Sequence, residues 1–243
     1  MASYLTTSQY KLDKSKARGW KTVGLNLSPA TEAGLVLGKT LPTMCAMAGT
    51  CADVCLAKTG MNVFPASVKA RARRTQEYMT DYKGFVAKVD KEIKALAKTH
   101  KKLAVRPNLL SDRPGLAHSL ANLNPTVQFY DYTKLPVPRR RVLDNYHLTY
   151  SVSEKTTKAD LAHCLQFGIN MAVVFNVRRD GKLPAKLKVQ GKWLRVVDGD
   201  KDDLRFLDPE GVVVGLRWKG SNARMAEGVK GGFVHDGKTE LVR

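Results

Sequence analysis

Short apolar, β-branched runs alternate along this chain with stretches whose apolar residues recur every three or four positions. The runs that read as strands are Thr22–Leu27, Leu103–Val105, Thr126–Tyr130, His147–Val152, Ile169–Phe175, Leu194–Val197 and Val212–Leu216. Most are continuously apolar rather than alternating, the pattern of parallel strands covered on both faces. Between Pro65 and His100, the residues Tyr82, Phe85, Val86, Val89, Ile93 and Leu96 lie three or four apart, with lysines filling the other face. This spacing predicts a helix. Pro65 suits its first turn, while Gly84 weakens its continuity by about 1 kcal/mol relative to Ala. A second helix is predicted over Lys158–Phe167, stopped by Gly168. Residues 136–146 form a Pro-bounded basic connection, and residues 178–195 read as a basic loop or hairpin insertion. Together these elements predict one α/β domain over residues 1–243, a partial or near-complete parallel (β/α) barrel of TIM type. A doubly wound sheet is the alternative.

Polar residues gather where the strands end: Asn26 and Ser28, Arg106 and Asn108, Asp131 and Lys134, Ser151, Ser153 and Glu154, Asn176 and Arg178, Asp198 and Asp200, then Lys219. In parallel α/β folds the C-terminal strand ends form the rim at which ligands bind. Turns also favour Asp, Asn and Ser, so the regularity counts as a set rather than residue by residue. The acidic run Asp198–Asp203 has the composition of a calcium loop, but Pro209 stands where the twelfth-position glutamate of an EF-hand belongs. That reading is set aside, and Arg205 is expected to pair with nearby aspartates.

Charge adds a partner class. Lys and Arg number 41 against 22 acids, a formal charge of +19. Such a field attracts polyanions, nucleic acid first among them. Arg71, Arg73 and Arg74, then Arg139, Arg140 and Arg141, are the candidate phosphate contacts, with Tyr130, Tyr132, Trp193 and Trp218 as candidate stacking groups. No apolar run reaches the roughly 18 residues of a membrane span. Residues 1–20 form a basic N-terminal arm without a signal-peptide core. A cytoplasmic location and no membrane partner are expected.

Cys45, Cys51 and Cys55 lie within eleven residues, with Cys164 far away. In a reducing compartment such thiols are more often ligands than bridges. Structural zinc sites use close cysteine pairs with a second pair elsewhere, and here no second pair exists. Three thiolates in one loop better suit a 4Fe–4S cluster, with zinc as the alternative. Cys164, inside the amphipathic Lys158–Phe167 segment, is expected to pack as a hydrophobe.

The segments Cys51–Lys58, Arg71–Arg74, Arg106–Asp112, Phe129–Lys134 (FYDYTK), Leu148–Glu154, Asn170–Phe175, Asp198–Asp208 and Gly215–Gly220 resemble the phage Gene product 88 family. The resemblance implies a phage-encoded protein and supplies no reaction. The order of elements is also similar, more loosely, to radical-SAM enzymes, in which a three-cysteine loop follows the first strand of a partial barrel. The cysteine spacing here is five then three rather than three then two. That likeness implies a cluster on Cys45, Cys51 and Cys55 and S-adenosylmethionine contacts from Ser151, Ser153 and Glu154, with Asn108 on the same rim. Asp131, Lys134, Asp198 and Asp200 would line a catalytic pocket for nucleic acid or a nucleotide. Two other classes remain open. One is a metal-dependent nuclease or replication protein with structural zinc, its magnesium held by Asp131, Glu154, Asp198 and Asp200. The other is a non-catalytic nucleic-acid-binding accessory protein.

Overall fold

A computed structural model describes residues 3–7, 10–139 and 143–242. Its strands are β1 (Leu5–Thr6), β2 (Lys21–Leu25), β3 (Leu103–Arg106), β4 (Gln128–Thr133), β5 (Tyr146–Ser151), β6 (Met171–Phe175), β7 (Lys186–Val189), β8 (Lys192–Asp198), β9 (Val213–Arg217) and β10 (Val234–His235). The helices are α1 (Tyr10–Asp13), α2 (Glu32–Leu37), α3 (Thr50–Asp53), α4 (Pro65–Thr80), α5 (Tyr82–Thr99), α6 (Pro114–Leu123), α7 (Lys158–Gln166) and α8 (Asn222–Lys230). The chain divides into two compact units. The first holds the described residues within 1–46, 60–131 and 141–147, and the second those within 47–59, 132–140 and 148–243.

In the first unit β2 runs parallel to β3 and β3 to β4, while β1 lies antiparallel on the outer edge of β2. Val23, Leu25, Val105 and Phe129 of the strands are buried, as are Phe85, Val89 and Ile93 of α5 and Leu116 and Leu120 of α6. The face predicted for α5 is therefore the buried one. The single helix suggested by the 65–100 pattern is two helices. Asp81 caps the second by accepting the Gly84 N–H at 2.9 Å. A Cβ at Gly84 would meet that same carboxylate, so this glycine belongs to a cap, not a helix interior.

The chain around β1 and α1 is fastened within the first unit. Glu92 accepts the N–H groups of Tyr4 and Leu5, Leu12 is buried, and the Thr22 hydroxyl donates to the Leu12 carbonyl.

In the second unit β5, β6, β9 and β8 are parallel neighbours in that order, and β10 pairs in parallel with β6. Tyr150, Leu161, Cys164, Val173, Phe175, Leu187, Val189 and Val213 share one apolar core. A capping box between Thr157 and Asp160 starts α7. The hairpin expected in residues 178–195 is present as β7 and β8, antiparallel, with Gln190 and Gly191 both at positive φ in its two-residue turn. That turn matches the right-handed twist of the paired strands. The hairpin is no insertion, however, because the far half of β8 continues as a parallel partner of β9.

Of the expected partial or near-complete barrel, the mixed α/β class is shown and a closed barrel is not. No pairing joins β1 to β7 among the described residues, so the pairings do not close a barrel. The architecture is mixed α/β with mostly parallel strands, of which β1 and β7 are antiparallel to their neighbours.

Candidate functional site

The first unit collects polar groups at the ends of β2, β3 and β4. The turn after β3 is organised by Asn108, which is 2% exposed. Its side-chain oxygen accepts from the Ser111 hydroxyl and the Arg113 N–H, both at 2.9 Å. Its backbone N–H and side-chain amide donate to the two oxygens of Asp131 at 3.0 and 2.8 Å, and the Tyr146 hydroxyl adds a third bond at 3.0 Å. Asp131 has no exposed surface. Its carboxylate is thus spent on the architecture of the turn. Leu109 continues the turn onto β2, its N–H donating to Leu25 and its side chain filling the space above Gly24.

Helix α4 brings arginines to the end of β2. Arg71 is 1% exposed and holds Glu32 through two nitrogens at 3.0 and 2.7 Å, with a third donating to the Asn62 carbonyl. It is a buried bidentate clamp between α4 and α2, not the surface phosphate contact expected of it. Arg73 is exposed. Arg74 is half-buried, and its Nε donates to the Asn26 carbonyl at 3.1 Å. Burial, then the charges of Arg71 and Arg73, hold the Arg74 pKa below the ordinary arginine value. Beside it, the Ser28 N–H donates to Thr75 Oγ1 at 2.8 Å.

Cys45 also belongs to this unit. Its Sγ accepts the Ala30 N–H at 3.4 Å and donates to the Leu110 carbonyl at 3.5 Å. Ala30 sits at φ 42°, the left-handed region that a side chain disfavours.

Cys51 and Cys55 lie in the second unit, on the loop that contains α3. Glu154 Oε1 accepts the Thr50 N–H at 2.8 Å, and Lys155 Nζ donates to the Ala48 carbonyl. Thr50 Oγ1 donates to the Gly231 carbonyl, and Arg224 to that of Lys58. Val54 packs with Trp218 and Val234. Ser153 is buried, its N–H donating to Thr156, while Ser151 ends β5 half-buried. Glu154 is therefore the loop's anchor on the end of β5. Among the described residues no three His, Cys, Asp or Glu side chains gather as a metal-binding group. Each of the three thiols is half-exposed.

The predicted catalytic acids of this unit are engaged by cations. Arg217 bonds Asp198 at 2.8 Å and approaches Asp200 at 3.4 Å, and Lys219 reaches Asp200 at 2.6 Å. Burial would raise the Asp198 pKa, but the bonds from Arg217 and the Asp200 N–H hold it below the ordinary carboxylate value. Arg205, 1% exposed, pairs with Asp202 and Asp208, as the sequence suggested. Lys134 rests its ammonium 5.5 Å from the ring centre of Phe233. Arg217 was missed by sequence reading, although it closes the same strand as the Lys219 that was noted.

The hairpin in this unit sorts its side chains by face. Leu187 and Val189 point into the core, whereas Lys186, Lys188, Trp193 and Arg195 share the other face. In register, Lys188 faces Trp193 and Lys186 faces Arg195. Trp193 is 65% exposed. The other candidate stacking groups differ: Tyr130 and Trp218 are buried and Tyr132 is half-buried. The hairpin is pinned at its tip. Gln190 donates to the Lys158 carbonyl, and the Gly191 N–H donates to Glu240, which also pairs with Lys188. Arg140, Arg141 and the Arg139 side chain lie outside the described residues.

A sequence profile of the family described as Gene product 88 matches residues 5–234. The chain belongs to this family. The match covers the two strand-end regions and the hairpin alike, so the family's sequence signature spans both units of the fold. No curated protein and no solved structure matches this Gene product 88 chain. No helix among its described residues is long and apolar enough to cross a membrane.

Proposed function

We propose that this Gene product 88 protein binds single-stranded nucleic acid on the outer face of the β7–β8 hairpin. The observation that carries the reading is Trp193, a large aromatic ring 65% exposed and set among Lys186, Lys188 and Arg195 on one face. An exposed indole offers a stacking surface that accepts any base, and the flanking cations follow the phosphate backbone. An exposed tryptophan on a loose loop would lose entropy on binding. This one rests on a hairpin already fixed through Gln190, Gly191 and Glu240. The chain's excess positive charge supplies long-range attraction on top of these contacts.

Fluorescence anisotropy with labelled single-stranded DNA and RNA tests the reading. Trp193→Ala is expected to weaken binding by about 1–3 kcal/mol, the worth of one stacked base. Unchanged affinity in this variant would refute the hairpin as the binding face.

The iron–sulfur reading has narrower support, namely the sequence spacing and the shared loop of Cys51 and Cys55. Anaerobic purification with iron and sulfide analysis tests it. A magnesium nuclease centre has less, since Asp131 is engaged by Asn108 and Tyr146, and Asp198 and Asp200 by Arg217 and Lys219.

A further inference from the structure

We infer that the end of β2 in the first unit is a phosphate-binding subsite built from Asn26, Ser28 and Arg74. Ser28 has no exposed surface, yet among the described residues its hydroxyl has no partner, and the side-chain oxygen of Asn26, a residue 7% exposed, has none either. Arg74 uses only Nε, on the Asn26 carbonyl. Its two terminal nitrogens make no hydrogen bond, and it forms no ion pair among the described residues.

Each buried polar atom left unmatched costs about 1–3 kcal/mol. Native proteins rarely tolerate several of these side by side. A half-buried guanidinium whose nearest acid, Glu92, acts on it without an ion pair adds to that cost. The acids near this helix are already spent: Glu32 on Arg71, and Glu92 on the N–H groups of Tyr4 and Leu5. Arg71 and Arg73 add positive potential around Arg74, and Arg73 has no acid of its own among the described residues.

One chemical group answers all three deficits. Water would satisfy Ser28 and Asn26 but leave the terminal nitrogens of Arg74, beside Arg71 and Arg73, with only the distant charge of Glu92. A carboxylate balances the charge but offers two oxygens in one plane. A tetrahedral phosphate presents several acceptor oxygens at once. It takes two parallel bonds from the fork of Arg74 and one from the Ser28 hydroxyl. It also takes one from the Asn26 amide, whose oxygen and nitrogen exchange by a half-turn. The place also suits the ligand, because the subsite follows the C-terminal end of a parallel strand. The inference does not depend on the hairpin reading, which concerns other residues in the other unit.

The test is calorimetry and thermal melting of the full chain with inorganic phosphate, then with a nucleoside 5′-monophosphate, at matched ionic strength in chloride. Both ligands are expected to raise the melting temperature by specific binding to the native state. In Ser28→Ala the protein should fold at least as stably, because an unmatched hydroxyl has been removed. It should nevertheless bind phosphate about tenfold more weakly. Arg74→Gln should abolish the ligand-dependent shift. A nucleotide preferred over inorganic phosphate by about tenfold or more identifies a nucleotide as the source, and equal affinities identify free phosphate. No shift in the wild-type protein, or an equal shift in Ser28→Ala, overturns the inference even if Arg74→Gln fails to fold.

Discussion

Asp131 grips Asn108 with both carboxylate oxygens, one on the backbone N–H at 3.0 Å and one on the side-chain amide at 2.8 Å. A carboxylate held this way positions the turn after β3. Asp131→Ala removes the acceptor of two Asn108 bonds and of the Tyr146 hydroxyl bond. At about 1–3 kcal/mol for each unmatched group, the variant should lose at least about 3 kcal/mol in urea unfolding. Tyr146→Phe removes a single bond and should lose about 1 kcal/mol. Equal stability of Asp131→Ala and wild type would return Asp131 to the list of available acids.

Ala30 stands at φ 42° with its N–H on the Cys45 sulfur. Ala30→Gly removes the steric penalty of that conformation and should stabilise the protein by about 1 kcal/mol, less the added freedom of the unfolded chain. Ala30→Val should destabilise it by more than that. Paired denaturation curves decide the sign.

The bond from Arg217 leaves Asp198 with a folded pKa below its unfolded one. A carboxyl shifted downward contributes stability that is present above its unfolded pKa, near 4, and disappears as pH falls through the folded value. Arg217→Met should therefore be less stable at neutral pH and lose less on acidification. Stability curves of equal slope below about pH 5 would contradict this coupling.

Burial pushes the Cys164 thiol up to about 12, with Asp160 adding to the effect. At pH 8 only about one such thiol in ten thousand is the reactive thiolate. Native-state alkylation followed by intact mass and peptide mapping should label Cys51 and Cys55, both half-exposed. Cys164 should react only after denaturation.

For the hairpin, Lys186→Gln and Arg195→Gln together should reduce the slope of log affinity against log salt by about 1–2, the release of one or two counterions. Trp193→Ala should leave that slope nearly unchanged while lowering affinity. A slope altered by the tryptophan alone would separate the ring from the stacking role.

Much of this was legible in the chain. The apolar runs located β2 to β6, β8 and β9, because continuous apolar strands need no distant partner to be recognised. The face of α5 followed from its spacing. The break before it was also written locally, in an aspartate three positions ahead of a glycine. Helix α6 escaped because Pro-Gly at its start reads as a turn and its ten residues are too few to show a period. The roles of the polar rim could not be read in the same way. Asp131 is fixed by Asn108 from the turn after another strand, Arg71 by Glu32 from another helix, and Asp200 by Lys219. A carboxylate's partner is a tertiary fact, and strand-end position alone does not distinguish an available acid from a committed one.

The cysteine-bearing loop has a consequence for how the chain comes into being. Thr50 is secured by Glu154, 104 positions later, and by Gly231, 181 positions later. During synthesis the loop therefore emerges long before its anchors, and Cys51 and Cys55 travel with an unfastened backbone until Glu154 and then Gly231 have been made. Contacts of such long separation close slowly. Oxidants and thiol reagents should find these two cysteines most easily on the nascent chain, before Glu154 and Gly231 arrive to hold them.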